Sequence, residues 1–378
     1  MDSTKTKQRK VIAAHEMQLP WELIEEILSR VSPSSLVRFK TVCKRWNAIL
    51  DDKMFINNHK ETFRFIITTG CKLHSVGIDP KLVVRELTLG IPGLEYENPR
   101  YLFDCDEFVL CSMDKGAVVR NPWLKLSRCI SQPNFKFQVI GCDSNRRSEE
   151  SIYKTIWCNT GRVDRPPYLK IHDLASCTWK DASVEFSGGS SQEKKRKLIT
   201  RSGVSLNGTL FWISFSDKKD PLYQLVTFDF SSEVFYIFCD LPCGKSHPCD
   251  ALVLWVFKRD RFSVLKQCHI TKKIEIWVTK NKVDVKDGND VVWMSFMTFS
   301  IPNFPNLVSF RSYYQQPSYF IDDKRLVVCS CDEDGQPWIY ILGENKLIRK
   351  VQLDSIVGFW PSHCTYFPSL VPVPREKG

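Results

Sequence analysis

At 378 residues, with 43% hydrophobic and 25% charged side chains, the chain has an ordinary globular composition and enough length to bury a full core. Its formal net charge of +10 is modest and scattered, which argues against a nucleic-acid surface that gathers basic residues on one face with stacking aromatics between them. The start, MDSTKTKQRKVIAAHEM, has no apolar segment of the secretory kind, and the longest apolar run, Ala251–Phe257, is far short of the roughly 20 residues a membrane-spanning helix needs, so a soluble intracellular protein is expected.

Residues 1–17 lack periodicity and are expected to form a mobile basic tail. Helix begins at Leu19-Pro20, where proline suits a first turn, and Leu23, Ile24, Ile27, Leu28 and Val31 follow at helical spacing. Ser32-Pro33 ends that helix and starts a second one, with serine as N-cap, carrying Leu36, Val37 and Phe39. A third helix is expected to hold Val42, Cys43, Trp46, Ile49 and Leu50 on one face, and a short fourth spans 52–60. Three or four helices in about 40 residues make a core too small for ordinary burial to stabilise, so part of this apolar surface is expected to meet a partner.

From about residue 63 the pattern changes to short apolar or alternating runs separated by turn residues, fifteen of which are of strand length, from Phe63–Thr68 to Trp338–Leu342. Val119–Trp123, Ile171–Trp179 and Phe228–Phe235 share one plan: a strand ending in Asn or Asp, a tight polar turn, and an aromatic starting the return strand. Asn121, Asp173 and Asp229 stand about 50 residues apart, the length of a four-stranded propeller blade of kelch type. In that reading the Asn or Asp bonds turn N–H groups and the aromatic packs between neighbouring blades. The last third fits the repeat less well and leaves the number of blades open. The fold class expected is therefore α and β by segregation: a small helical domain over 18–62, a large all-β, propeller-like domain over 63–373, and a tail over 374–378.

Fifteen cysteines in a chain without an export signal read as small core hydrophobes, as in FVLCSM around Cys111 and LVVCSC around Cys329 and Cys331. The densest set of metal-type side chains is Cys239, Cys243, His247 and Cys249, whose spacing is unusual and interrupted by prolines. An exposed inter-strand loop, after a strand ending near Cys239, is the better reading, and neither a metal site nor a cofactor is assigned. The basic run Lys194–Lys197 after SGGSSQ reads as an exposed loop, with a nuclear-localisation cluster as the alternative. No P-loop, dinucleotide fingerprint, zinc-protease motif or nucleophile elbow is present, and no catalytic residue is assigned.

Leu19-Pro20, Glu26–Arg30, Ser35-Leu36, Arg38–Lys40 and Val42–Trp46 stand at the spacing of the plant F-box, which this stretch resembles. One departure is Val31-Ser32-Pro33, where the family's proline usually follows the valine or leucine directly. Leu206–Trp212, Phe228–Phe230, Glu275–Thr279, Phe320–Asp323 and Cys364–Val371 look like the F-box-associated domain, so the resemblance covers nearly the whole chain. Arg120 and Cys129 stand where that family more often has tryptophans, and Asp106–Cys111 replaces an Asn-Gly-Leu-rich run. A looser blade is expected there, one that tolerates Cys129→Trp. The resemblance implies a non-catalytic substrate receptor of a Skp–cullin–F-box ubiquitin ligase in the nucleus, the cytoplasm or both. Carried over residue by residue, Leu19, Pro20, Leu23, Ile27, Leu28, Leu36, Val42, Cys43 and Trp46 would bind the Skp-type adaptor and, through it, cullin and the RING subunit. The β domain would hold a protein substrate at residues the sequence leaves open, with no nucleic-acid or membrane partner. The alternative is a β domain that is itself an enzyme or small-molecule binder, with the F-box regulating its turnover.

Overall fold

Helix α1 (Trp21–Leu28) follows Pro20, which occupies the N-cap with extended backbone rather than the first helical turn. α2 (Pro33–Phe39) starts with proline at its first position; Ser32 is the N-cap residue but makes no side-chain capping bond, its Oγ lying 3.0 Å from that of Ser35 instead. α3 (Lys44–Asp51) begins later than the apolar spacing suggests. Val42 lies in the preceding turn, and Cys43 is the N-cap, its Sγ accepting from the Trp46 N–H at 3.4 Å. α4 (Lys53–Asn58) is capped by Asp52, which accepts from the Met54 N–H at 2.7 Å. This is a computed structural model describing residues 19–374, except 79–80, 88–98, 106, 114–115, 132–136, 144–151, 160–167, 184–185, 188–195, 199–202, 217–221, 248, 259, 309–315, 323 and 354–357. The expected tail over 1–17, residues 375–378 of the other tail, and Lys194-Lys195 lie outside the described residues. The chain divides into two units, Met1–Glu61 and Thr62–Gly378.

The second unit is a six-bladed β-propeller whose blades are antiparallel sheets. Blade 1 carries β1 (Phe65–Thr69), β2 (Lys72–Gly77) and β3 (Val83–Leu87). Blade 2 is β4 (Tyr101–Cys105), β5 (Phe108–Met113), β6 (Gly116–Asn121) and β7 (Leu126–Ser131). Blade 3 is β8 (Phe137–Asp143), β9 (Ile152–Asn159), β10 (Tyr168–Asp173) and β11 (Trp179–Ser183). In blade 4 the inner edge is split into β12 (Arg196–Leu198) and β13 (Val204–Leu206), both pairing with β14 (Thr209–Ser216), followed by β15 (Leu222–Asp229) and β16 (Val234–Lys245). Blade 5 is β17 (Ala251–Phe257), β18 (Arg261–Gln267), β19 (Ile274–Thr279) and β20 (Trp293–Phe299). Blade 6 is β21 (Ser318–Asp322), β22 (Arg325–Cys331), β23 (Pro337–Gly343) and β24 (Lys346–Gln352). The last strand, β25 (His363–Thr365), returns to pair with β1 and supplies the inner strand of blade 1, closing the ring with the propeller's first and last strands.

Alternation along each strand is what welds the ring together. Leu210 and Trp212 of β14 face a core shared by blades 2, 3 and 4, while Phe211 and Ile213 face one shared with blade 5. Leu326 and Val328 of β22 pack toward blade 5, and Val327 and Cys329 toward blade 1. Because successive side chains point to opposite faces, each central strand serves two inter-blade cores at once. Cys111, Cys329 and Cys331 are buried, as their apolar contexts imply.

The repeated turn is real and uses the chemistry expected of it. Asn121 Oδ1 accepts from the Trp123 and Leu124 N–H groups; Asp173 Oδ1 accepts from Ala175 and Ser176; the Asp229 carboxylate accepts from Ser231 and Ser232. Trp179 and Phe235 meet rings of their own blades and also lie in the core that blades 2, 3 and 4 share. Trp179 meets Trp157 at 5.1 Å and His172 at 4.5 Å; Phe235 meets Phe228 at 4.9 Å and Trp212 at 5.4 Å. Two further expectations are corrected. Arg196 and Lys197 belong to β12 rather than to a loop, and the strand expected to end near Cys239 continues to Lys245.

Candidate partner-binding surfaces

The helical unit exposes one face of α1. Leu19, Leu23 and Ile27 recur every four residues, so they align on one side, and they are 55%, 50% and 51% exposed. Ile24 is half-buried and Leu28 is 1% exposed on the other side, so α1 carries an outward and an inward apolar stripe. Pro20 and Cys43 are exposed, Val42 is 59% exposed in the turn before α3, and Trp46 is half-buried against Phe39 at 5.3 Å. Seven of the nine residues assigned to adaptor binding therefore have free surface. Leu28 and Leu36 do not: at 1% and 0% exposure they fill the unit's own core, where they are out of a partner's reach. Ile49 is also internal.

Charged side chains stiffen the edges of this face. Arg30 and Lys60 both pair with Glu26, and the Arg30 hydrogen bond, then that from Lys60, holds the Glu26 carboxyl below its usual range. The Arg45 guanidinium lies 3.8 Å over the Trp21 ring. His59 Nε2 stands 2.9 Å from the Val31 carbonyl oxygen, linking α4 to the end of the first helix, and burial lowers its pKa.

The propeller's axis offers little room. Among the described residues, a cavity of about 100 Å³ lies among the inner strands, lined by Tyr101, Asp104, Trp255, Ser318, His363 and Thr365. That is enough for a few waters, too small for a peptide. A larger recess of about 560 Å³ lies at the outer edge of blade 4, beneath the segment 285–289, with Phe230, Tyr236, Ile237, Lys286 and Asp287 in its wall. Gly288 is required there because a Cβ would fall 1.9 Å from the Phe238 carbonyl oxygen. A third opening, about 330 Å³, separates Leu126–Cys129 from Pro372–Pro374. That opening lies beside Cys129 on the outer strand of blade 2, whereas every residue of β5 and β6 is buried, Arg120 at 2% exposure included, and burial pulls the Arg120 pKa down.

The cysteine–histidine set flagged in the sequence does not converge as a unit. Cys239 and Cys243 lie on β16, where burial pushes their thiols up to about 12 and about 11. His247 instead stacks on His269 at 4.2 Å, beside Asp250. Asp250, 7% exposed, accepts from Ser246 Oγ at 3.0 Å and from the His247 and His269 N–H groups at 3.1 and 3.0 Å. Burial alone would raise its pKa; these hydrogen bonds, with His269 foremost, outweigh burial and leave it below the usual carboxylate range. Sequence reading missed this grouping because Cys268 and His269 lie 18 and 19 residues from Asp250, and only the sheet brings them together.

Known proteins resemble the chain along almost its whole length. Residues 17–58 match the F-box domain, and residues 61–373 match the F-box associated beta propeller domain. An F-box/kelch-repeat protein of Arabidopsis thaliana is 53% identical over 367 residues, covering 96% of this chain and 94% of that one. An F-box protein of the same plant is 50% identical, covering 96% of each. The Arabidopsis protein SUPPRESSOR OF NIM1 1 is 39% identical, covering 96% of this chain and all of its own length. No helix among the described residues is long and apolar enough to cross a membrane.

Proposed function

Since this chain belongs to the plant F-box proteins with an F-box-associated β-propeller domain, we propose that it is a substrate-recognition subunit of a Skp–cullin–F-box ubiquitin ligase. The observation that carries this reading is the exposed row Leu19, Leu23 and Ile27 on α1, with Val42 also exposed in the turn before α3, on a helical unit too small to leave so much apolar surface in water without a use. Against a Skp-type adaptor, these side chains act as a few buried anchors of the helix-in-groove kind, each contributing about 1–2 kcal/mol from burial of its exposed half. The adaptor connects to cullin and the RING subunit; the propeller carries the protein to be modified. Its contribution to ubiquitin transfer is proximity and orientation, so the chain is not itself a catalyst. It would work in the nucleus, the cytoplasm or both.

The recess beside Tyr236 and Ile237 is the substrate-binding position we favour over the narrow axis, because it combines apolar walls with more room than the axis or the opening beside Leu126. The adaptor half of the proposal is tested by measuring affinity for a purified Skp-type adaptor. Leu23→Asp with Ile27→Asp should weaken binding at least 100-fold while leaving the melting temperature within about 2 °C, since neither side chain is buried in the unit's core. Equal binding by variant and wild type would overturn it.

A further inference from the structure

We propose that Asp250, Cys268 and His269, completed by His247, form a binding site for a single transition-metal ion of the zinc type on one face of the propeller. The four residues come from two connections: 246–250 leads from β16 into blade 5, and 268–273 turns from β18 to β19. Both follow strands running in the same sense, so the antiparallel order of the blades delivers them to one face.

One carboxylate oxygen, one imidazole nitrogen and one thiol sulfur lie within 4.8 Å of one another. Ligand atoms about 2.0–2.3 Å from a tetrahedral zinc ion stand about 3.3–3.7 Å apart, so only small side-chain adjustments separate this grouping from a coordination shell. The two oxygens of Asp250 are already divided between tasks. Oδ2 receives Ser246 Oγ and the His247 N–H and has the Lys266 ammonium 3.7 Å away. Oδ1 faces His269 Nδ1 at 2.7 Å. The ion therefore enters on the Oδ1 side in place of that hydrogen bond: the His269 ring proton moves by way of solvent from Nδ1 to Nε2, leaving Nδ1 to bind the ion, and Cys268 releases its thiol proton to solvent. Lys266 keeps its place 3.7 Å from Oδ2, while the carboxylate and thiolate together balance the charge of a divalent ion.

Independent support comes from His247. Its ring is stacked on His269, with centroids 4.2 Å apart and planes inclined by 24°, so a side-chain rotation supplies a fourth donor. A sulfur, two imidazoles and an oxygen are the mixed donor set that zinc accepts and that calcium or magnesium does not. The turn is also held in place: Gln267 Nε2 donates to the Pro305 carbonyl at 2.8 Å, and Lys272 Nζ donates to Asn306 Oδ1 at 2.6 Å.

The test is titration of the metal-free full-length protein with cobalt(II), followed by displacement with zinc. One equivalent should bind, giving a thiolate-to-cobalt charge-transfer band that zinc abolishes. Cys268→Ser should lose the band and bind at least 100-fold more weakly, His247→Gln should bind about 10-fold more weakly, and Cys71→Ser should behave as wild type. Should Cys268→Ser fail to fold, the wild type still decides the matter: zinc should protect Cys268 from alkylation, read by peptide mass spectrometry. Absence of a stoichiometric site at micromolar metal, retention of the band in Cys268→Ser, or unchanged alkylation of Cys268 would each overturn the proposal.

Discussion

The two units of this chain treat apolar surface in opposite ways. In the propeller, alternating strand residues are shared between adjacent blades, and β14 or β22 sends one set of side chains to each neighbour. The helical unit closes its own core with Leu28, Leu36, Ile49, Leu50 and Ile56 and still leaves Leu19, Leu23, Ile27, Val42 and Met54 exposed. A ring completes its core internally and can leave its rim free to vary; a four-helix plug of about 40 residues cannot, and its surplus marks where a partner belongs.

Breaking the ring should give the largest effect. Truncation after Ser362 removes β25 and the segment that follows it, including buried Tyr366, Leu370 and Val373. The first blade then loses its inner strand, and blade 2 loses three carbonyl partners, from Ser369 and Val371 to Asn121 and from Pro374 to Arg128. We expect loss of cooperative propeller unfolding in calorimetry, a cost of more than about 5 kcal/mol, with adaptor binding by the helical unit retained. Leu36→Ala should invert that pattern. Removing this side chain from a small core costs about 2–5 kcal/mol, enough to open the helical unit to proteolysis after Arg30 or Arg38 and abolish adaptor binding while the propeller's melting transition stays in place.

Within the propeller, Asn121 sharpens the contrast between a turn and a tie. Its Oδ1 holds the turn and receives Tyr366 Oη at 3.0 Å, while its Nδ2 donates to the Ser369 and Val371 carbonyls at 2.9 and 2.8 Å. The Asp173 carboxylate accepts from two N–H groups of its own, more exposed turn. Asn121→Ala should cost about 2–4 kcal/mol because buried partners are stranded, and Asp173→Ala about 1 kcal/mol, a difference readable in urea midpoints.

How much was legible in the sequence follows the same division. Fifteen strands were read from apolar runs; those outside the runs are the inner strands β4, β12, β13 and β25, the outer strands β3, β7, β11 and β24, and β2, while of β16 only an end near Cys239 was expected. β24, KLIRKVQ, is exposed over its first five residues, so water rather than a core selects them and no alternation survives. Blade counting failed where the turn chemistry changed. In blade 6 the Asp turn gives way to Glu344-Asn345, both at positive φ (49° and 55°), the two-residue hairpin form. In blade 5 it gives way to the long connection 280–292 between β19 and β20. Leu28 and Leu36 were carried to the adaptor side by the F-box resemblance, and spacing could not correct it, since it shows that a helix is apolar but not which of two adjacent apolar stripes faces inward. Ile27 and Leu28 are adjacent in sequence, yet they are 51% and 1% exposed.

Hydrogen–deuterium exchange of the full-length protein with and without a Skp-type adaptor tests the central claim most directly. The exposed α1 face and the α2–α3 turn predict slowed exchange in peptides covering 19–28 and 40–46, with propeller peptides unchanged. Unchanged exchange across 19–46 in a formed complex, or protection confined to the blades, would contradict the assignment of this face as the docking surface.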